Sequence, residues 1–196
     1  MNSMKIFVIN PGSTSTKLAL YDGTTSVWAE SVYHPLAELA QFSRVNEQLE
    51  YRKQHVYSTL QKENIPLDFD VIIARGGLLK PTPGGVYRIT ERIKSDLWNA
   101  SMEHVSNLAA LIADDIAQRI GCPSFIADPV VTDELQDVAR LTGIPEIPRI
   151  SIFHTLNSRA VSRRYAARIQ KRYEDLNIIV VHLGGGISVS AHHYGR

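Results

Sequence analysis

The sequence predicts an α/β fold in which one strand-turn-strand unit occurs twice. The first copy is Lys5-Ile-Phe-Val-Ile-Asn-Pro-Gly-Ser-Thr-Ser-Thr-Lys17, and the second is Ile178-Ile-Val-Val-His-Leu-Gly-Gly-Gly-Ile-Ser-Val-Ser190. Each reads as a short apolar strand, a glycine-containing turn and a second strand. Between them lies a long stretch of mixed helical and strand-like periodicity. Glycine tolerates positive φ and close approach, so such turns can set several backbone N–H groups around an anion, and two of them can hold the phosphates of one nucleotide.

Composition narrows the ligand. The 196 residues, 44% hydrophobic and 21% charged, suffice for one good core and part of another. Lys and Arg total 21 against 20 Asp and Glu, with no long basic run, so there is no electrostatic footprint for nucleic acid or an anionic membrane. A small polar ligand fits better. The single cysteine, Cys122, precludes an intramolecular disulfide and suits a reducing, cytoplasmic setting. The first apolar run, Ile6 to Ile9, is too short for a signal-peptide core or a membrane span.

Along the chain, residues 4–9 and Leu18 to Tyr21 form the first hairpin, ending at Asp22-Gly23, and a strand from Val27 to Val32 extends it. Apolar spacing from Leu36 to Asn64 predicts two helices, stopped by Ile65-Pro66. Asp70 to Arg75 is a short buried strand closed by two glycines, and Lys80-Pro-Thr-Pro-Gly-Gly85 is a loop by composition, suited to facing a ligand. From Ser101 to Ile120, residues Val105, Leu108, Ala109, Ile112, Ile116 and Ile120 share one helical face, with Gly121 and Pro123 as the stop. Phe125 to Ala127 is a short strand ending at Asp128-Pro129. Thr132 or Asp133 can cap a helix running to Thr142, and Ile144-Pro-Glu-Ile-Pro148 is a stiff segment suited to a domain boundary. A helix from about Leu156 to Tyr173 leads into the second hairpin.

The first turn superficially matches a P-loop, but it lacks the second glycine before Lys17 and has Leu18 where a metal-binding hydroxyl belongs. As a hairpin turn it offers the amides near Gly12, the hydroxyls of Ser13 and Ser15 and the Lys17 ammonium to phosphate, with Asn10 orienting the turn. The same composition also makes an ordinary turn. Asp128 stands at a strand's C-terminal end, where open α/β sheets bind ligands. Its carboxylate can hold Mg²⁺ through water or orient an acceptor oxygen; the alternative is an Asx turn into Pro129. Arg75, at another strand end, can grip a carboxylate or a phosphoryl group, or form a structural ion pair. Of the seven histidines, His104, His154 and His182 lie beside these positions, whereas His34, His55, His192 and His193 do not. With one cysteine and no zinc-protease spacing, a zinc site is not expected.

Together the segments Val8 to Lys17, Ala74-Arg-Gly-Gly-Leu-Leu-Lys-Pro81, Glu103-His104 with Ser106-Asn107-Leu108, Asp128-Pro-Val-Val-Thr-Asp-Glu134, Ile152-Phe-His154 and His182-Leu-Gly-Gly-Gly186 resemble the acetate and butyrate kinase family, and within it the butyrate kinases most closely. The resemblance implies an actin-like (ribonuclease H-like) mixed sheet with flanking helices. One near-complete domain would occupy residues 1–149, and 150–196 would begin a second, so that the chain covers about the first half of such a kinase.

The resemblance also implies reversible transfer of the γ-phosphoryl of ATP to a short-chain carboxylate, giving an acyl phosphate and ADP. By position, Asn10, Gly12, Ser13, Ser15 and Lys17 match the first phosphate loop, and His182, Gly184, Gly185 and Gly186 the second. Asp128 matches an essential acid near Mg²⁺, and His154 a hydrogen-bond donor to the transition state. Where acetate kinases carry His-Arg-Val-Val-His-Gly-Gly, this chain has Val71-Ile-Ile-Ala-Arg-Gly-Gly77, so Arg75 falls on the second histidine of that pattern. The replacement favours butyrate or a branched acid over acetate. A half-length kinase is expected to be inactive or weakly active alone and to self-associate, as a homodimer or otherwise, through exposed strand edges. Acetate or propionate kinase activity and a non-catalytic phosphate-binding or oligomerising module are the rival expectations.

Overall fold

A six-stranded mixed sheet grows outward from the first hairpin, in the order β3-β2-β1-β4-β6-β5. The computed structural model describes residues 3–184 and 186–195. β1 (Lys5–Pro11), β2 (Ser15–Asp22) and β3 (Thr25–Tyr33) form an antiparallel meander with a register shift at Leu20/Tyr21. β4 (Val71–Arg75) pairs parallel with β1, and β6 (Ser124–Ala127) pairs parallel with β4. β5 (Val86–Arg88) closes the far edge, antiparallel to β6. The expected mixed sheet with flanking helices is therefore present. The chain falls into two compact units, the first comprising residues up to Leu79 with Val86–Ala127, the second Lys80–Gly85 with Asp128 onward.

Alternation along β1 decides which face is covered. Phe7 and Ile9 are fully buried, whereas Val8 and Asn10 point to the opposite, half-open side. The covering layer is α4 (Asn107–Ile120), whose Leu108, Ala109, Ile112, Ala113 and Ile116 are all fully buried. Gly121, at φ 74°, ends it in the left-handed conformation that glycine adopts without a Cβ clash. α2 (Leu49–Lys62) adds Val56 and Leu60, and α3 (Glu91–Trp98) adds Leu97 to the same core. Phe7 stacks on Phe69 at 4.6 Å between centroids.

Several elements differ from the sequence reading. The helix expected from Ser101 begins only at Asn107, because His104 Nδ1 bonds the Ser106 hydroxyl at 2.6 Å and Asn107 Oδ1 accepts the Leu78 N–H at 2.8 Å, local bonds that compete with helix. The two helices expected over 36–64 are one turn, α1 (Leu36–Leu39), a 3₁₀ turn at Val45–Gln48, and α2. The helix expected from Thr132 to Thr142 shrinks to α5 (Asp137–Arg140). Thr132 is drawn into a parallel bridge with Thr82, and Asp133 turns its carboxylate to the Leu135 N–H and the Arg140 guanidinium. α3 and β5 were not foreseen. The Thr90 hydroxyl caps α3 by accepting the Ile93 N–H.

In the second unit, α6 (Thr155–Arg168) buries Thr155, Ser158, Arg159, Ser162 and Ala166. β7 (Asn177–Leu183) and β8 (Ile187–His193) form a two-stranded hairpin. Its half-buried face carries Ile178, Val180 and His182; on the other, Ile179, Val181, Leu183, Ile187 and Val189 are all exposed. Among the described residues, no helix is long and apolar enough to cross a membrane.

The core assignment is tested by chemical denaturation. Ile112→Ala is expected to cost about 2–5 kcal/mol through transfer and cavity terms. Val181→Ala, on the bare hairpin face, is expected to cost under about 0.5 kcal/mol. Equal effects would contradict the placement of the core.

Candidate active site

The first unit places Asn10, Gly12, Ser13, Ser15 and Lys17 together at the β1–β2 turn, with Asn10 opposite Lys17 in the ladder. Because β1, β4 and β6 run parallel, this turn, Arg75 at the end of β4 and the end of β6 all lie at one edge of the sheet. Ser13 and Lys17 are exposed, and Gly12 and Ser15 are half-buried. Asn10 and Lys17 share an open depression of about 340 Å³ with Val8, Ala19 and Glu30. The Asn10 Oδ1 is buried without a protein partner among the described residues. Since a buried polar atom is costly to leave unmade, this oxygen is available to a ligand donor or water.

The turn has internal order. Gly12 N–H donates to the Ser15 carbonyl at 2.6 Å, and His34 N–H donates to the Thr14 carbonyl at 2.9 Å. Below it lies Arg52, 1% exposed, whose guanidinium donates to the carbonyls of Gly12 (3.0 Å) and Ser13 (2.9 Å). The Thr16 hydroxyl accepts from Arg52 at 3.4 Å and lies 2.9 Å from His34 Nε2. His34 therefore does lie beside a candidate position, contrary to the sequence expectation. The β2–β3 register, with Ser15 opposite Tyr33, brings it there. Neither Arg52 nor His34 carried a sequence signal, since each acquires its neighbours through non-local pairing.

Arg75 is half-buried and forms no ion pair among the described residues, so its structural alternative finds no support. Burial lowers its pKa from the usual arginine value. His104, near enough to feel its charge, is lowered first by burial and then by Arg75.

The second unit assembles two further groups. His154 and His182 stack with centroids 3.8 Å apart and planes within 7°. His154 Nδ1 meets the Ser188 hydroxyl at 2.7 Å, and His182 Nδ1 meets the Asn157 amide at 3.1 Å. Both rings border the glycine turn: a Cβ placed on Gly186 would meet His154 at 3.5 Å, and one on Gly184 would meet His182 at 3.4 Å. Gly185 lies outside the described residues. Asp128 belongs to a different set of contacts. It accepts the Gly85 N–H at 2.9 Å and pairs with Arg159 at 3.0 Å, and its φ of 35° is left-handed, which Asp tolerates better than most residues.

Arg159, which the sequence reading missed, also pairs with Glu134. Burial opposes its charge most, but the Glu134 hydrogen bond and the Asp128 and Glu134 charges together raise its pKa. Gly84 is required for this approach, since a Cβ there would fall 1.8 Å from Arg159 Nη1. The loop expected to face a ligand is thus stitched to the 128–134 segment through Gly85 and Gly84.

No group of three or more His, Cys, Asp or Glu among the described residues could cage a metal. Mg²⁺ usually takes one or two carboxylates plus substrate phosphates and water, and a lone Asp128 with its Oδ1 engaged fits that mode only.

A mixed α/β sheet in this strand order, flanked by helices, defines an actin-like fold, and solved structures share it. The chain is similar to Porphyromonas gingivalis acetate kinase, with a TM-score of 0.68 at 16% identity, covering 98% of this chain and 56% of that one. It is similar to a Francisella tularensis propionate kinase, with a TM-score of 0.66 at 17% identity, covering 98% and 56%. More particularly, its sequence is similar to butyrate kinases. It is 66% identical to the "Probable butyrate kinase" of Phocaeicola vulgatus over 98% of this chain and 54% of the relative. It is 46% identical to "Butyrate kinase 2" of Clostridium acetobutylicum over 98% and 54%. The chain spans about half the length of the curated relatives it matches. No protein-family profile matches it.

His34 makes the turn's support sensitive to pH. Burial first, then Arg52 and His55, push its pKa down to about 4, against an opposing Glu38. The unfolded state thus binds the extra proton between about pH 6.5 and 4, so stability is fully present above the unfolded value and is lost as pH falls through this window. From pH 7 to about pH 4.5 the wild-type chain is expected to lose roughly 2 kcal/mol more than His34→Gln in urea denaturation. Parallel losses in the two proteins would refute a neutral buried His34.

Proposed function

We propose that the chain forms part of a short-chain carboxylate kinase that transfers the γ-phosphoryl of ATP reversibly to butyrate, giving butyryl phosphate and ADP. The observation that carries this reading is the similarity to butyrate kinases along 98% of the chain. Residues 1–149 would be the first actin-like domain and 150–196 the opening of the second. The remainder of the relatives' length would supply the adenosine pocket, and the isolated chain would turn over weakly or not at all. A cytoplasmic enzyme acting on soluble substrates, without nucleic acid or membrane, fits the balanced charge.

In this reading Asn10, Gly12, Ser13, Ser15 and Lys17 hold one set of phosphate oxygens, and His182, Gly184 and Gly186 another. The substrate carboxylate oxygen attacks the γ-phosphorus as the bond to ADP breaks. Positioning and charge stabilisation suffice for that step, and no covalent nucleophile is needed. His154, its ring set by Ser188 and the stacked His182, donates to the transferring phosphoryl group. Arg75, which forms no ion pair among the described residues, receives the acid or the phosphoryl group. Asp128 would orient the acceptor and would be the residue to hold a bound Mg²⁺, which would supply charge neutralisation on the phosphates.

A second reading, an oligomerising module, rests on the apolar hairpin face of Ile179, Val181, Leu183, Ile187 and Val189. It is compatible with a homodimeric kinase.

Acyl phosphate trapping with hydroxylamine separates these readings, using this chain beside a chimera that carries the remaining portion of the Phocaeicola vulgatus relative. The chimera is expected to form butyryl hydroxamate from Mg-ATP and butyrate, with kcat/KM at least about tenfold above acetate. Propionate and a branched acid complete the series. A folded chimera inactive on every acid would sink the kinase reading, and preference for acetate would sink the choice of butyrate.

A further inference from the structure

We propose that Arg52 is a positioning residue that holds the 12–16 turn in its anion-receiving shape and lends it a buried positive charge. The inference rests on the phosphate-binding reading of that turn and adds to it a residue from a distant helix. The four carbonyls from Gly12 to Ser15 are all taken up inside the protein: Gly12 and Ser13 by Arg52, Thr14 by the His34 N–H, and Ser15 by the Gly12 N–H. A turn whose carbonyls are tied inward presents amides, not oxygens, to whatever approaches from outside, the Gly12 N–H excepted because the Ser15 carbonyl takes it up. Two of those four ties come from one guanidinium, whose planar fork fits adjacent carbonyls as an ammonium does not.

The charge matters as much as the geometry. Arg52 makes no ion pair with any carboxylate among the described residues; its other partners are Gln48 Oε1 at 3.0 Å and the Thr16 hydroxyl. Burial pushes its pKa down to about 10, still far above neutrality, so the cation persists. A buried charge is costly unless something offsets it. Here the carbonyl dipoles do so in part, and an anion seated on the outer side of the turn would do so further. Burial first, and then the same guanidinium charge, disfavour the protonated form of His34, whose Nε2 shares the Thr16 hydroxyl with Arg52.

The test compares Arg52→Lys and Arg52→Met with the wild-type chain. It measures thermal stability, hydrogen exchange of the 12–16 segment, and calorimetric affinity for inorganic tripolyphosphate. Arg52→Met is expected to speed exchange in that segment and to weaken tripolyphosphate binding about tenfold, the size of effect expected of one poorly screened charge near the ligand. Arg52→Lys, which keeps the charge but not the fork, should exchange as fast yet recover much of the affinity. A merely structural role would weaken binding equally in both variants. If Arg52→Met fails to fold, the exchange and affinity of Arg52→Lys decide between the same outcomes. Unchanged exchange, with binding within about twofold of wild type, would overturn the proposal. Failure of the wild-type chain to bind tripolyphosphate would instead overturn the phosphate reading and the charge role together, leaving exchange to decide whether Arg52 holds the turn.

Discussion

The parallel pairing of β1 with β4, sealed on one face by α4, is the constraint on which the first unit depends. It buries Phe7, Ile9, Ile72 and Ala74 against Leu108, Ile112 and Ile116, and so fixes the height at which each strand ends. Parallel strands deliver their C-termini to a common edge. The Asn10–Lys17 turn and Arg75 arrive there together, so the proposed contacts with phosphate and acid would be held at the border of a sheet and not on a long loop. β1 also separates the two requirements by its period of two: one face feeds the core, and the other leaves Asn10 and Lys17 open.

The second unit reaches order by a different route. Its hairpin buries little, and α6 contributes threonine, serine and arginine more than large apolar side chains. Ionic and hydrogen-bonded contacts carry more of the organisation there: Arg159 gathers Asp128 and Glu134, and Gly84 and Gly85 bring their amides to the same carboxylates. Such a cluster is sensitive to deletion of any member, because a carboxylate left buried without its partner is costly. The stacked pair of His154 and His182 borders Gly184 and Gly186 of the second hairpin, whereas Arg52 is bonded directly to the carbonyls of the first turn.

Much of this was legible in the sequence, for local reasons. Both hairpins, β4, β6 and the body of α4 announce themselves through apolar runs, period-3.6 spacing and glycine stops such as Gly121. Where the reading went astray, longer-range bonds overrode local preference. Thr132 and Asp133 look like helix caps, yet pairing with Thr82 and Arg140 holds them extended. α3 and β5 are short, and only the burial of Leu97 in α3 and of Ile89, just after β5, against the core reveals their role. Arg52, His34 and Arg159 were invisible for a common reason. Each lies far in sequence from the groups it contacts, and nothing in a residue's own neighbourhood tells which turn or carboxylate a helix will pass beside.

The central claim is that the turn after β1 receives phosphate through its backbone amides. Amide chemical-shift mapping of the ¹⁵N-labelled chain during titration with Mg-ATP tests it most directly. The account predicts saturable shifts of the Ser13, Thr14 and Ser15 amides, with the exposed hairpin residues Ile179 and Val181 unmoved. Saturable binding that leaves the 12–16 amides in place would contradict it.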